Sequence, residues 1–340
     1  MNKRARSLRQ CIWVIVVGTS ILLVGGIPAQ SEPYIAMYKG GRSAAISFTF
    51  DDGFRSQVEN AREIIEPLGI RGTLFLIPHF MDGETKREST ITFEEAEELL
   101  LYGHEVGTHG SIGAKLQDAS KEEVRSNVNR GWGLLRDNLG VKPISYAAPG
   151  GSKVVKRFPD VVEEKHYFIR SEKYLPQSDW IAYGNTRSRE WSDEKTRIKI
   201  EGLRENGGWG LGVIHAIVEG WAPFKSKDEF RTHCEWVKAQ EDWLWIAPLS
   251  EVGRYAFERE AAKLEIISIE EGKLVFRVTH NLEPREIFNM PLTVVIPEVK
   301  AERVRALGRT HGESLPSKSQ EGRLLVEAPV DGREVIVLWE

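Results

Sequence analysis

The stretch Ala45-Ile46-Ser47-Phe48-Thr49-Phe50-Asp51-Asp52-Gly53 decides how the rest of this chain is read. Five of its first six residues are apolar or β-branched, which predicts a strand buried on both faces. It stops on two carboxylates and a glycine. Asp-Gly is ordinary turn chemistry. A second acid beside the first, at the carboxyl end of a buried strand, stands where α/β sheets and barrels collect ligands and catalytic groups.

Outward from this strand the pattern alternates. From Gln57 to Leu68, residues Val58, Ala61, Ile64, Ile65 and Leu68 share one helical face before Gly69. Gly72 to Pro78 predicts a second strand, and Thr92 with Glu95 forms a capping box for a helix ending near Tyr102. Glu105 to Thr108 predicts a short third strand. Ser120 with Glu123 caps a helix striped by Val124, Val128, Trp132, Leu135 and Leu139. Further strands are expected at Ile144 to Ala148, near Tyr167 to Arg170, at Leu211 to His215 and at Trp243 to Ala247, the last two separated by a helix capped at Ser226. About seven strands with helices between them predict a parallel sheet or barrel over residues 40–258.

The period changes after Glu260. Lys263 to Ile269 and Leu274 to Thr279 alternate around Glu270-Glu271-Gly272-Lys273, which predicts a hairpin. Leu292 to Ile296, Val304 to Leu307, Arg323 to Val326 and Val335 to Trp339 continue as strands. Residues 260–340 therefore form a small β-sandwich-like domain, either structural or sugar-binding. At the other end, Lys3, Arg4, Arg6 and Arg9 precede an uncharged apolar run from Cys11 to about Gly26, with small residues near Ala29 to Ser31. Residues 1–31 read as a signal peptide, cleaved or retained as an N-terminal anchor, and predict a secreted or periplasmic setting.

The 340 residues carry a formal charge of −4; without the four basic groups of the opening segment this falls to −8. An acidic body offers no footprint for nucleic acid, and nothing in the sequence points to a protein partner. Of two cysteines, Cys11 leaves with a cleaved signal, so Cys234 has no partner for a disulfide. Ten tryptophans suit either sugar rings or a core.

Thr49-Phe50-Asp51-Asp52-Gly53 resembles the first motif of the polysaccharide deacetylase family (carbohydrate esterase family 4, NodB homology). Further pieces follow in the family's order. The resemblance implies a distorted seven-stranded (β/α) barrel and hydrolysis of an acetyl group on a carbohydrate. It implies Asp51 as general base and Asp52 as a ligand of a divalent metal (Zn, Co, Ni or Mn). Gly103-His104-Glu105-Val106-Gly107-Thr108-His109 resembles the second motif and makes His109 a metal ligand. The family's second histidine would stand four residues on, at Gly113, and no histidine occurs between 109 and 166. His79 and His104 are the alternatives for that ligand. In Ser145-Tyr146-Ala147-Ala148-Pro149-Gly150-Gly151, Ala147 stands where the family has an arginine that orients the base, and the Gly150 N–H can serve an oxyanion. Pro176-Gln177-Ser178-Asp179-Trp180 resembles part of the fourth motif, with Asp179 as an acid partner for the catalytic histidine and Trp180 as a substrate wall. Leu211-Gly212-Val213-Ile214-His215 resembles the fifth and makes His215 the general acid.

Three functions compete: a metal-assisted carbohydrate deacetylase, a metal-independent C–N hydrolase on the same fold, and a sugar-binding pseudoenzyme. Persistence of both acids and His215 favours an enzyme, because binding alone does not require them.

Overall fold

The computed structural model describes residues 32–340 apart from 114–115, 152, 172–173, 177, 183–192, 219–223, 300–303 and 309–311. The signal-peptide reading, on residues 1–31, lies outside them. The chain enters through a two-residue strand, β1 (Tyr34–Ile35), and then lays β2 (Ala44–Asp51) through the middle of a parallel sheet. Every residue of β2 is buried. Its even members Ile46, Phe48 and Phe50 join an outer core with Val58, Ile64, Phe230 and Val237 of the covering helices. Ala45, by contrast, packs inside with Trp209, Leu211, Trp245 and Phe75. Alternation along a strand therefore puts Ala45, Ser47, Thr49 and Asp51 on the inner face.

The alternation continues through α1 (Arg55–Asn60), β3 (Thr73–Leu76), α2 (Phe93–Leu101), β4 (Glu105–Thr108), α3 (Lys121–Leu139), β5 (Ser145–Tyr146), α4 (Lys153–Arg157), α5 (Pro159–Glu163) and β6 (Phe168–Ile169). It then runs through β7 (Ser178–Ala182), α6 (Asp193–Asn206), β8 (Trp209–Ile214), α7 (Lys227–Lys238), β9 (Leu244–Ile246) and α8 (Leu249–Ala261). Thr92–Glu95 and Ser120–Glu123 both form complete capping boxes, and Gly140 ends α3 with a left-handed φ of 66°. The helix expected from Gln57 changes pitch at Ala61 and finishes as a wider π-type turn to Ile65.

All seven expected strands are present and parallel, in the order β6-β5-β4-β3-β2-β8, with β9 paired to the start of β2. They curl into a distorted (β/α) barrel. The distortion has a visible origin: Ala44–Ile46 pair with β9, and only from Thr49 onward does the same edge of β2 pair with β3. An eighth strand, β7, which the sequence pattern does not predict, extends the sheet beyond β8.

The sheet's lower end is closed by α8. The Glu105 carboxylate accepts from Thr73 Oγ1 (2.7 Å), from the Ser250 backbone N–H (2.9 Å) and from Ser145 Oγ. A carboxylate at the first turn of α8 satisfies an otherwise unpaired N–H and complements the helix dipole. Leu249, Val252 and Tyr255 then carry the core of the barrel into the C-terminal sheets.

Those sheets hold β10 (Lys263–Glu270), β11 (Lys273–Thr279), β12 (Leu292–Ile296), β13 (Val304–Gly308), β14 (Glu313–Leu315), β15 (Ser317–Gln320), β16 (Arg323–Ala328) and β17 (Val335–Trp339). One sheet runs β10-β11-β17-β13-β14 and the other β1-β12-β16-β15, all antiparallel. The expected hairpin turns at Gly272, whose φ is 72°. Membership extends beyond residues 260–340, since β1 completes the second sheet.

Glu258 of α8 is fully buried at this junction, with Oε1 accepting from the Met290 N–H (3.1 Å). Burial pushes its carboxyl up from 4.5 to about 7, against the opposing pull of the Met290 N–H, Arg254 and Arg285. A raised carboxyl favours the protonated folded state, so stability falls as pH rises from 4.5 through about 7 and then levels off. Glu258→Gln keeps an acceptor for Met290 and cannot ionise. Urea unfolding should therefore show it gaining on the wild type between about pH 5 and about pH 8; parallel curves would contradict a buried, titrating Glu258.

Candidate active site

At the carboxyl ends of the strands, the inner-face alternation of β2 delivers Asp51 as the last buried residue of the barrel interior. Its carboxylate receives a two-pronged salt bridge from Arg170, which follows β6: Nη1 to Oδ1 and Nη2 to Oδ2, both 2.6 Å. Arg170 Nη1 also donates to Thr49 Oγ1 (2.7 Å), and that hydroxyl donates to the Gly212 carbonyl (2.7 Å). The guanidinium lies 4.8 Å from the centre of the Phe75 ring. Both partners are almost wholly buried. Burial alone would raise the Asp51 carboxyl, but Arg170, with His109 and His215, outweighs it and holds Asp51 below the ordinary carboxylate range.

His215 follows β8, in register beside β2 through the pair Phe50–Ile214. Its Nε2 stands 3.9 Å from Asp51 Oδ2, too far for a direct hydrogen bond and close enough for both to touch one small molecule. A quarter of the His215 side chain reaches solvent, against 4% for Asp51. Gln57 of α1 ties the two strand ends together, donating through Nε2 to the Asp51 carbonyl (2.6 Å) and to that of His215.

Asp52 leaves the strand with φ 71°, a left-handed conformation that is strained for a residue with a side chain. His109, just after β4, places Nε2 3.6 Å from Asp52 Oδ1. His109 Nδ1 faces the Ala147 carbonyl at 2.9 Å, and a carbonyl only accepts, so Nδ1 carries the proton and Nε2 presents its lone pair. Burial holds the His109 pKa down despite the pull of Asp51 and Asp52; burial also raises the Asp52 carboxyl.

Asp52 and His109 are two of the three protein donors that the family resemblance asks of a metal centre. Among the described residues no third donor joins them. Gly113 has φ +64°, and a Cβ there would stand 2.7 Å from Ile77 Cδ1, so an imidazole does not fit without displacing Ile77. His104 is buried at the opposite end of β4, its Nδ1 accepting from the Gly72 N–H (3.0 Å) and its pKa pushed down by burial to about 4. His79 joins no donor cluster; among the described residues no three His, Cys, Asp or Glu side chains converge as a metal site. Asp51 is already engaged by Arg170. Among the described residues the donor set falls one short of the expected centre.

Gly150 lies in the turn after β5 with φ 74°, and its carbonyl accepts from Gln117 Nε2 (2.6 Å). This turn borders the His109 loop, since a Cβ on Gly110 would come within 3.6 Å of Pro149 Cγ. Asp179 and Trp180 are placed elsewhere, which corrects the expectation for them. They belong to edge strand β7, level with Gly210 and Leu211 of β8. Gly210 pairs with Ile46, so Asp179 sits five strand positions, about 16 Å, below the level of Asp51. It cannot orient His215. The residue that the sequence reading missed is Arg170. Its signal was a cation directly after a short apolar strand, at the barrel end where Asp51 and His215 stand.

A parallel (β/α) barrel thus gathers two acids, two histidines and an arginine at its strand ends. Residues 39–167 match the family model "Polysaccharide deacetylase". A gellan lyase from a Bacillus species is 23% identical over 300 residues, 78% of this chain; the chain spans only 11% of that relative's length. Among solved structures, a probable polysaccharide deacetylase from Pseudomonas aeruginosa PAO1 superposes with a TM-score of 0.51 at 13% identity, covering 68% of this chain and 96% of that one. Puue allantoinase does so with a TM-score of 0.52 at 12% identity, covering 66% and 93%. These two likenesses concern the fold.

The strain at Asp52 is testable without any substrate. If the fold holds position 52 left-handed, Asp52→Gly should be more stable than Asp52→Ala by about 1 kcal/mol in urea unfolding. Equal stabilities would mean that position 52 relaxes freely.

Proposed function

We propose that this site removes acetyl groups, N- or O-linked, from an acetylated oligo- or polysaccharide by acid/base-assisted attack of water. The observation that carries the reading is the placement of Asp51 and His215 around one small space, 3.9 Å apart. The Asp51 carboxylate, kept ionised by its surroundings, takes the proton of the attacking water. His215, on the solvent side, gives a proton to the departing amine or alcohol. Two different environments thus assign the base and the acid. N–H groups of the Gly150 turn are the donors for the oxyanion.

A divalent ion, where one binds, would rest on Asp52 and His109 and would polarise the acetyl carbonyl. Two protein donors are too few to retain it tightly, and the steps assigned to Asp51 and His215 do not require it. A metal-independent hydrolase on this fold is therefore favoured over the metal-assisted one by the closed position at Gly113. The family match and the polysaccharide-directed relative support a carbohydrate substrate. The basic and apolar opening of residues 1–31 supports a secreted or periplasmic place of action.

Acetate release from a panel of acetylated glycans tests the reading. Asp51→Asn and His215→Ala should each lower kcat/KM by about 100-fold or more. Dialysis against a chelator should leave the wild-type rate unchanged. A rate abolished by chelator and restored by zinc would overturn the metal-free assignment. Binding of glycans without acetate release would favour the pseudoenzyme.

A further inference from the structure

Position 147 is the one place where the family's base-orienting arginine is replaced outright, yet Asp51 does not lack a guanidinium. Tyr146 pairs with Ile169 across β5 and β6, and the Arg170 N–H donates to the Tyr146 carbonyl at 2.9 Å. Ala147 and Arg170 are therefore neighbours in register, one strand apart, about 4.8 Å. Residues so paired on adjacent parallel strands point to the same face. The buried methyl of Ala147 fills little of the barrel interior, and Arg170 reaches through that interior to Asp51.

We infer that Arg170, supplied from the strand beside the vacated position, is the positioning residue that fixes Asp51 for the reaction proposed above, on which this inference rests. Three contacts from two strands set its plane. Asp51 and Thr49 of β2 accept from it, the Phe75 ring of β3 backs it, and Thr49 passes the restraint to Gly212 of β8. Both Asp51 oxygens are held by one rigid fork, so the carboxylate cannot rotate about its last bond. The unshared lone pairs of Oδ2 are thereby kept toward the side on which His215 stands. A structural ion pair could sit anywhere in the interior; this one locks the group that faces the reacting water.

The test measures acetate release by wild type, Arg170→Ala, Arg170→Lys and the exchange variant Arg170→Ala with Ala147→Arg. Arg170→Ala should lose kcat by about 10–100-fold, the effect of removing a group that orients a reacting residue, with KM little altered. Added guanidinium ion, at non-denaturing concentration, should restore part of that kcat. Arg170→Lys should stay low, because an ammonium cannot form the fork. The exchange variant should recover kcat from the neighbouring strand. Should Arg170→Ala fail to fold, Thr49→Val decides, since it removes the hydrogen bond that steadies the guanidinium without leaving a buried charge unpaired; it too should lower kcat. An undiminished kcat in Arg170→Ala or in Thr49→Val overturns the inference, as does a folded Arg170→Ala that neither guanidinium nor the exchange restores. Wild-type release with undiminished variants overturns the role of Arg170 alone. No release by the wild type on any substrate overturns the deacetylase reading and this inference with it.

Discussion

A carboxylate sealed in the mouth of a barrel must be met by positive charge, and the Asp51–Arg170 pair meets that requirement. Stripping water from an ionised acid costs several kcal/mol, and only a well-shaped partner repays it. The two-pronged geometry does so here, and Thr49 takes one guanidinium hydrogen that Asp51 does not. Everything else about the mouth follows from this pair. It keeps Asp51 charged and leaves Asp52 as the more protonatable neighbour, while burial is what holds the His109 pKa down.

Two adjacent acids thus differ because the backbone sends them into different surroundings. Asp51 completes the extended strand and points inward. Asp52 turns left-handed and stays one-third exposed. Local backbone strain of this kind is concentrated at functional sites, where the surrounding structure enforces it. The pairing of Asp52 with a histidine whose lone pair faces it gives the mouth a second polar centre, opposite the His215 side. The missing third donor at Gly113 leaves that centre without the grip of a structural metal site.

Much of this was legible in the sequence, for identifiable reasons. The unbroken apolar run of β2, the capping boxes at Thr92 and Ser120 and the hairpin around Gly272 are local signals, each decided by a few neighbouring residues. Asp51, Asp52, His109 and His215 could be read because each ends a strand, and strand ends of a parallel barrel converge. Arg170 could not be assigned from its own neighbourhood. Its partner lies 119 residues away, and only the register of β5 with β6 reveals that it replaces the side chain absent at Ala147. Asp179 misled for the opposite reason: a loose motif match stood in for a tertiary fact, the pairing of Ser178 to Ala182 with β8 as an edge strand. The change of pitch at Ala61 and the entry of β1 into the last sheet are likewise tertiary decisions.

That entry of β1 has its own consequence. Tyr34 and Ile35 pair with Val295 and Val294, so the first described residues are stitched into the last third of the chain. The Tyr255 hydroxyl of α8 donates to the Ala36 carbonyl and accepts from the Thr293 N–H, binding barrel helix, opening segment and sandwich in one knot. A cut after α8 would therefore not release a self-sufficient catalytic module. It would strip a sheet partner from the amino-terminal strand and open the shared core of Leu249, Val252 and Tyr255 to water. What looks along the sequence like a detachable accessory is, in the folded molecule, the buttress against which the barrel's final helix is held.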